Sequence, residues 1–137
     1  MSNINRVVES FTTVNLSQAF RMIDLCVKSH IVPLIKSSPG IGKSAIAAKY
    51  AKEHNLFMID LRLTQCDTVD LNGFPFMDHT TGMARYYPME TFPVTDTPFP
   101  TEQRVNDKGE TYTHTYAGWL LFLDELTSAS QSVQAAA

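Results

Sequence analysis

The chain has 137 residues, 44% of them hydrophobic, and a net charge of −3, enough for one domain with a real core and no bulk reason to bind nucleic acid, although a local basic patch stays open. Its two cysteines, Cys26 and Cys66, are too few for a disulfide framework and lack metal-ligand spacing, so both are expected as buried thiols. No apolar run approaches the roughly 20 residues that span a bilayer, and Met1 to Asn5 lack signal-peptide character, which points to a cytoplasmic protein with no membrane partner.

In chain order, Met1 to Thr13 mix polar and β-branched residues and read as a lead-in. Asn15 is placed to cap a helix running to about Ser29, with Ala19, Met22, Ile23, Cys26 and Val27 on one core-facing stripe. The apolar run Ile31-Val32-Pro33-Leu34-Ile35 predicts a strand near Ile31–Lys36. Next come Ser37-Ser38-Pro39-Gly40-Ile41-Gly42-Lys43-Ser44 and an alanine-rich helix to about His54, with Ile46, Ala47, Tyr50 and Ala51 on one side.

Strand, glycine-rich turn and helix in that order make a P-loop. Gly40 and Gly42 let the backbone turn its N–H groups toward phosphate oxygens, with no Cβ in the way. The helix that opens at Lys43 adds free N–H groups and the positive end of its dipole. Ser38, Pro39, Gly40, Ile41, Gly42, Lys43 and Ser44 are therefore the candidate nucleotide-binding residues. Lys43 supplies an ammonium for the β and γ phosphates, and the Ser44 hydroxyl suits Mg²⁺. The pattern G-x-x-x-x-G-K-[ST] wants glycine where this chain has Ser37, a small residue that tolerates turns.

Asn55 is a candidate C-cap for that helix. Leu56 to Leu63 then alternates, with Phe57, Ile59, Leu61 and Leu63 opposite Met58, Asp60 and Arg62, which predicts a second strand near Phe57–Leu63, at a sheet edge or partly open to solvent. The span Phe76–Tyr116 is the least regular, because four of the seven prolines fall between Pro88 and Pro100 and bar a long helix or central strand. Asn106-Asp107-Lys108-Gly109 carries turn chemistry and suggests a hairpin. The span reads either as a mobile surface loop or as an insertion that grips a partner or lines a pore. The four histidines (His30, His54, His79, His114) are scattered without metal-ligand spacing.

Leu120-Leu121-Phe122-Leu123 followed by Asp124-Glu125 reads as a third strand, Trp119–Leu123, buried on both faces of a parallel sheet. Its C-terminal end is where such sheets bind ligands. Asp124 there can hold Mg²⁺, and Glu125 can orient or deprotonate the water that attacks the γ phosphate. Lys43 and Glu125 are the candidate catalytic residues, with Ser44 and Asp124 at the metal. Fold class follows as α/β: a P-loop three-layer αβα sandwich with a mostly parallel sheet.

The two motifs together resemble the AAA+ ATPases, in particular the MoxR-like and dynein-related branch. Asp70-Leu71-Asn72-Gly73-Phe74-Pro75 resembles the Asp-Leu-x-Gly segment between the motifs of that branch, and Thr127 to Ala137 the start of the helix after its Walker B strand. The resemblance covers roughly residues 15–137. It implies a single partial AAA+ domain over residues 1–137 with an irregular insertion around 76–116. The expected function is MgATP hydrolysis coupled to remodelling a protein client within a homo-oligomeric, hexameric ring. A complete module would continue with a sensor strand, an arginine-finger helix and a lid domain, so the resemblance implies a fragment. Two alternatives stay open: a nucleotide-binding or assembly module with negligible turnover, and a nucleic-acid motor or loader of the phage replication or packaging kind. ATP follows from the resemblance, and the absence of an Asn-Lys-x-Asp guanine-reading motif agrees with it.

Overall fold

The structure, a computed structural model, describes residues 13–137; the expected lead-in over residues 1–12 lies outside them. The chain forms two compact units, one ending at Ile41 and one running Gly42–Ala137.

In the first unit Asn15 caps helix α1 (Leu16–Lys28), as its position predicts. Its side chain accepts from the Gln18 N–H at 2.9 Å while Gln18 Oε1 accepts from the Asn15 N–H at 3.0 Å, a reciprocal capping box. At the other end His30 turns left-handed (φ 56°), and the His30 and Ile31 N–H groups donate back to Val27 and Cys26 carbonyls, closing the last turn. The expected core-facing stripe is corrected: Ile23 is buried, whereas Met22 and Val27 are 44% and 40% exposed and Cys26 is half-buried.

The expected strand at Ile31–Lys36 is absent. Residues 31–38 have no regular structure, and Val32 is 92% exposed. Pro33 stands at the centre of the run, removes a ladder donor and restricts Val32 before it. Apolar composition alone does not make a strand where the backbone cannot pair.

The second unit is built on a parallel pair, β1 (Leu56–Arg62) and β6 (Gly118–Asp124), in register from Leu56 opposite Gly118 to Arg62 opposite Asp124. Helix α2 (Lys43–Glu53) packs on both strands and buries Ala47, Tyr50 and Ala51. Ile59 of β1 is buried too, but the expected alternation holds only in part: Phe57 is exposed, Met58 is half-buried, and Leu63 lies past the strand in a short 3-10 turn. Asn55 takes the left-handed turn after α2 (φ 54°), one residue beyond the His54 cap, and clamps distant chain. Its Nδ2 donates to the Thr115 carbonyl at 3.1 Å, its Oδ1 lies 2.7 Å from His114 Nε2, and its carbonyl accepts from the Ala117 N–H at 2.7 Å. The start of β6 is thereby tied to the start of β1. That tie sets the register.

The region expected to be irregular holds two antiparallel hairpins. After the short helix α3 (Thr68–Asn72) come β2 (Phe74–Asp78) and β3 (Met83–Tyr87), then β4 (Thr101–Val105) and β5 (Thr111–Thr115). The second hairpin is the one expected around Asn106, whose Oδ1 accepts from the Lys108 and Glu110 N–H groups at 2.9 Å each. Its side is fastened by Glu102: Tyr116 Oη donates to Oε2 at 2.6 Å and Arg104 Nε donates to Oε1. The Tyr116 hydroxyl, and then the Arg104 guanidinium, hold the Glu102 carboxyl below its usual range.

Among the described residues one strand pair of three is parallel, and it is the pair formed by the two expected strands, β1 and β6. The fold is α/β, a small parallel sheet plus antiparallel pairs. No helix among the described residues is long and apolar enough to cross a membrane.

Gly73 joins α3 to β2 with φ +87°, and a Cβ built on it would stand 2.1 Å from the Tyr87 carbonyl oxygen. Backbone cannot yield cheaply there. Gly73→Ala is expected to lower unfolding stability by about 2 kcal/mol, the scale of one forced strained backbone position, as read from the urea midpoint. An unchanged midpoint would remove the close approach.

Candidate functional site

The predicted site residues fall in two places along the chain. Ser38 lies in the irregular segment, and Pro39 and Gly40 form a turn with Gly40 at φ +80°; Ile41 follows, half-exposed. These four belong to the first unit. Gly42, Lys43, Ser44, Asp124 and Glu125 belong to the second.

Gly42 is the N-cap of α2 at φ +96°, ψ 31°, and makes no side-chain capping bond. Positive φ there is what glycine permits and other residues resist. The first turn carries no acidic residue, and its first position is Lys43. An ordinary helix start is built the other way round. It commonly takes Ser, Thr, Asp, Asn or Gly at the cap and carboxylates in the first turn, because the free N–H groups and the dipole favour negative charge. Here the first turn holds no carboxylate and opens on a cation, where the dipole disfavours one. A helix start of this kind suits an anion.

The two carboxylates lie at the same end of the second unit. Two residues, His54 and Asn55, separate α2 from β1, and helix and strand pack together, so they run in opposite directions. The start of α2 therefore lies toward the C-terminal ends of the parallel strands, where Asp124 closes β6. Asp124 Oδ1 accepts from the Glu125 N–H at 2.9 Å. Glu125 is left-handed (φ 59°, ψ 30°), a conformation that costs a residue with a Cβ on the order of 1–2 kcal/mol. It lifts the Glu125 carboxylate off the line of the strand.

Packing holds that turn. Leu123 and Leu126, on either side of the two carboxylates, sit against a small core of Leu63, Ala129 and Val133, together with Cys66 and Leu71. Leu63 is 1% exposed. Val133 comes from helix α4 (Gln131–Ala136), which Ser130 caps by accepting from the Val133 N–H, so the expected helix after the strand is present. Cys66 is half-buried and donates to the Arg62 carbonyl at 3.3 Å; the expectation of buried thiols is corrected to partial burial.

One contact to a predicted site residue escaped the sequence. Thr64, two residues past β1, donates its hydroxyl to Glu125 Oε2. The contact follows from the β1–β6 register, which sets the ends of the two strands side by side.

Among the described residues, no three His, Cys, Asp or Glu side chains gather at metal-binding distance. The Mg²⁺ ligands expected from the sequence, the Ser44 hydroxyl and the Asp124 carboxylate, are hard oxygens of the kind this ion prefers. A cleft of about 450 Å³ runs along Asp60, Arg62, Gln65, Cys66, Asp70 and Phe92. None of the predicted site residues lines it. Open helix ends hold phosphates by aimed N–H groups and do not need an enclosed cavity.

Nothing matches this chain among protein-family models, curated proteins or solved structures.

Proposed function

We propose that this chain binds MgATP at the start of α2 and hydrolyses it, as the nucleotide-binding part of an AAA+ module of the MoxR-like kind that remodels a protein partner. The observation that carries the reading is the inverted helix start: a left-handed glycine cap, no acidic first turn and Lys43 in the first position. That combination is unfavourable for an isolated helix and favourable around a phosphate chain.

In this reading the α2 N–H groups and Lys43 neutralise phosphate charge. Ser38 to Ile41 add the backbone donors that their motif supplies. Ser44 and Asp124 hold Mg²⁺, which when bound neutralises charge between the β and γ phosphates. Glu125, fixed by Thr64 and by its own backbone turn, takes the proton of the attacking water. Assembly as a hexameric ring, completion of the site by a neighbour's arginine, and the three-layer sandwich belong to the same proposal.

Calorimetric titration with ATP, with and without Mg²⁺, tests it. Saturable binding that strengthens with Mg²⁺ is expected. No heat of binding up to about 1 mM MgATP, the upper range of common KM values, would sink the reading.

A further inference from the structure

The β2–β3 hairpin leaves its apolar surface open. Phe74, Phe76, Met77, Met83, Tyr86 and Tyr87 are each between 52% and 69% exposed, and neither strand pairs with a third among the described residues. A two-stranded ribbon with both faces wet is marginal, and a third strand is the usual remedy. Exposed apolar patches of this kind mark interaction sites.

The two outer edges are not equivalent. Pro75 stands second in β2, opposite Tyr86, and proline is tolerated in a ladder where its nitrogen faces outward. Of the two outward positions of β2, Pro75 and Met77, one therefore lacks a donor. Antiparallel ladders alternate every second residue, so the N–H and C=O groups of Tyr86 and Ala84 face outward on β3. Residues 83–87 hold no proline or lysine, the devices that commonly guard an edge. Arg85 is the one cation there, and it is paired across the hairpin with Asp78 at 3.3 Å.

We propose that the outer edge of β3 docks an extended strand of a partner protein, which pairs with the Ala84 and Tyr86 backbone and lays side chains beside Met83 and Tyr87 on one face and Tyr86 on the other. One face presents Tyr86, and the other presents Met83 and Tyr87 on either side of Arg85, whose charge is paired with Asp78, so the strand it fits is uncharged and β-branched or aromatic at its centre. A second copy of this chain fits worse. Two β3 edges in full two-fold overlap set Arg85 against its own copy, and like charges directly opposite are destabilising. Nucleic acid fits worse again, since it needs an unpaired basic track beside the rings.

The proposal deepens the reading of a protein-remodelling module and rests on it for the identity of the partner. Its measurement does not, because it uses no nucleotide. The probe is a lysine-flanked peptide of alternating valine and threonine, followed by amide hydrogen exchange. At a peptide concentration about ten times Kd, exchange at Ala84 and Tyr86 is expected to slow about tenfold, with no change at Ile59 of β1. The effect should persist in Lys43→Ala and Ala84→Val, and vanish in Ala84→Pro, which removes one outward N–H. A peptide N-methylated at alternate residues should give no protection. Equal protection by the methylated peptide, or none by the parent, overturns the proposal. So does protection that grows with protein concentration alone, which would assign the edge to a second copy.

Discussion

Lys43→Ala is expected to weaken MgATP binding by about 10- to 100-fold, the equivalent of losing one charge-assisted hydrogen bond worth about 1.5–3 kcal/mol. The fold should not weaken with it. Lys43 is the first residue of α2, where the helix dipole opposes a cation and the first turn holds no acidic residue. Alanine there is a better helix former and removes the opposed charge, so the unfolding midpoint should stay or rise slightly. Loss of affinity and retained stability together separate a functional lysine from a structural one. A folded variant with unchanged calorimetric affinity would remove Lys43 from the site. A variant that loses both would make Lys43 part of the fold.

What could be read from the residues was local. The Asn15 cap, the α2 stripe, the β1 strand and the Asn106 turn each depend on neighbours a few residues apart. Each appears where its pattern stands, although the two faces of β1 are less distinct than the alternation predicts, Phe57 being exposed. The apolar run at Ile31–Ile35 misled because burial pattern says nothing about pairing, and Pro33 withdraws a donor at its centre. The β2–β3 hairpin was hidden for a related reason. Phe74-Pro75-Phe76-Met77 does not alternate, and its four-residue loop is closed by Asp78, whose Oδ1 accepts from the Thr80 N–H at 2.9 Å. That bond holds the Asp78 carboxyl below its usual range. No two-residue turn signature announces such a closure. Thr64 lay furthest from view, because its partner is 61 residues away and only the β1–β6 register brings them together. The carboxylates were legible by type, and their support was not.

That support gives the last expected result. In a protein that turns over ATP, Glu125→Gln should keep nucleotide affinity and lower kcat by about 10²–10⁴, the usual contribution of a positioned general base. The amide keeps the shape and still accepts from Thr64, but it cannot take a proton. Thr64→Val tests the positioning itself. Valine keeps the volume and removes the donor, freeing the Glu125 carboxylate while leaving the base chemically intact. Turnover should fall by less than in Glu125→Gln, with KM unchanged, because Thr64 touches the base and not the phosphates. Thr64→Ser, which restores the hydroxyl, should recover most of the rate. The two sites should also be non-additive: once Glu125 is glutamine, removing the Thr64 hydroxyl has little left to lose. Independent, multiplying losses would mean that the hydroxyl acts on something other than Glu125. Full turnover in Glu125→Gln would take the end of β6 out of the chemistry altogether, and with it the reason for holding a glutamate in a left-handed turn.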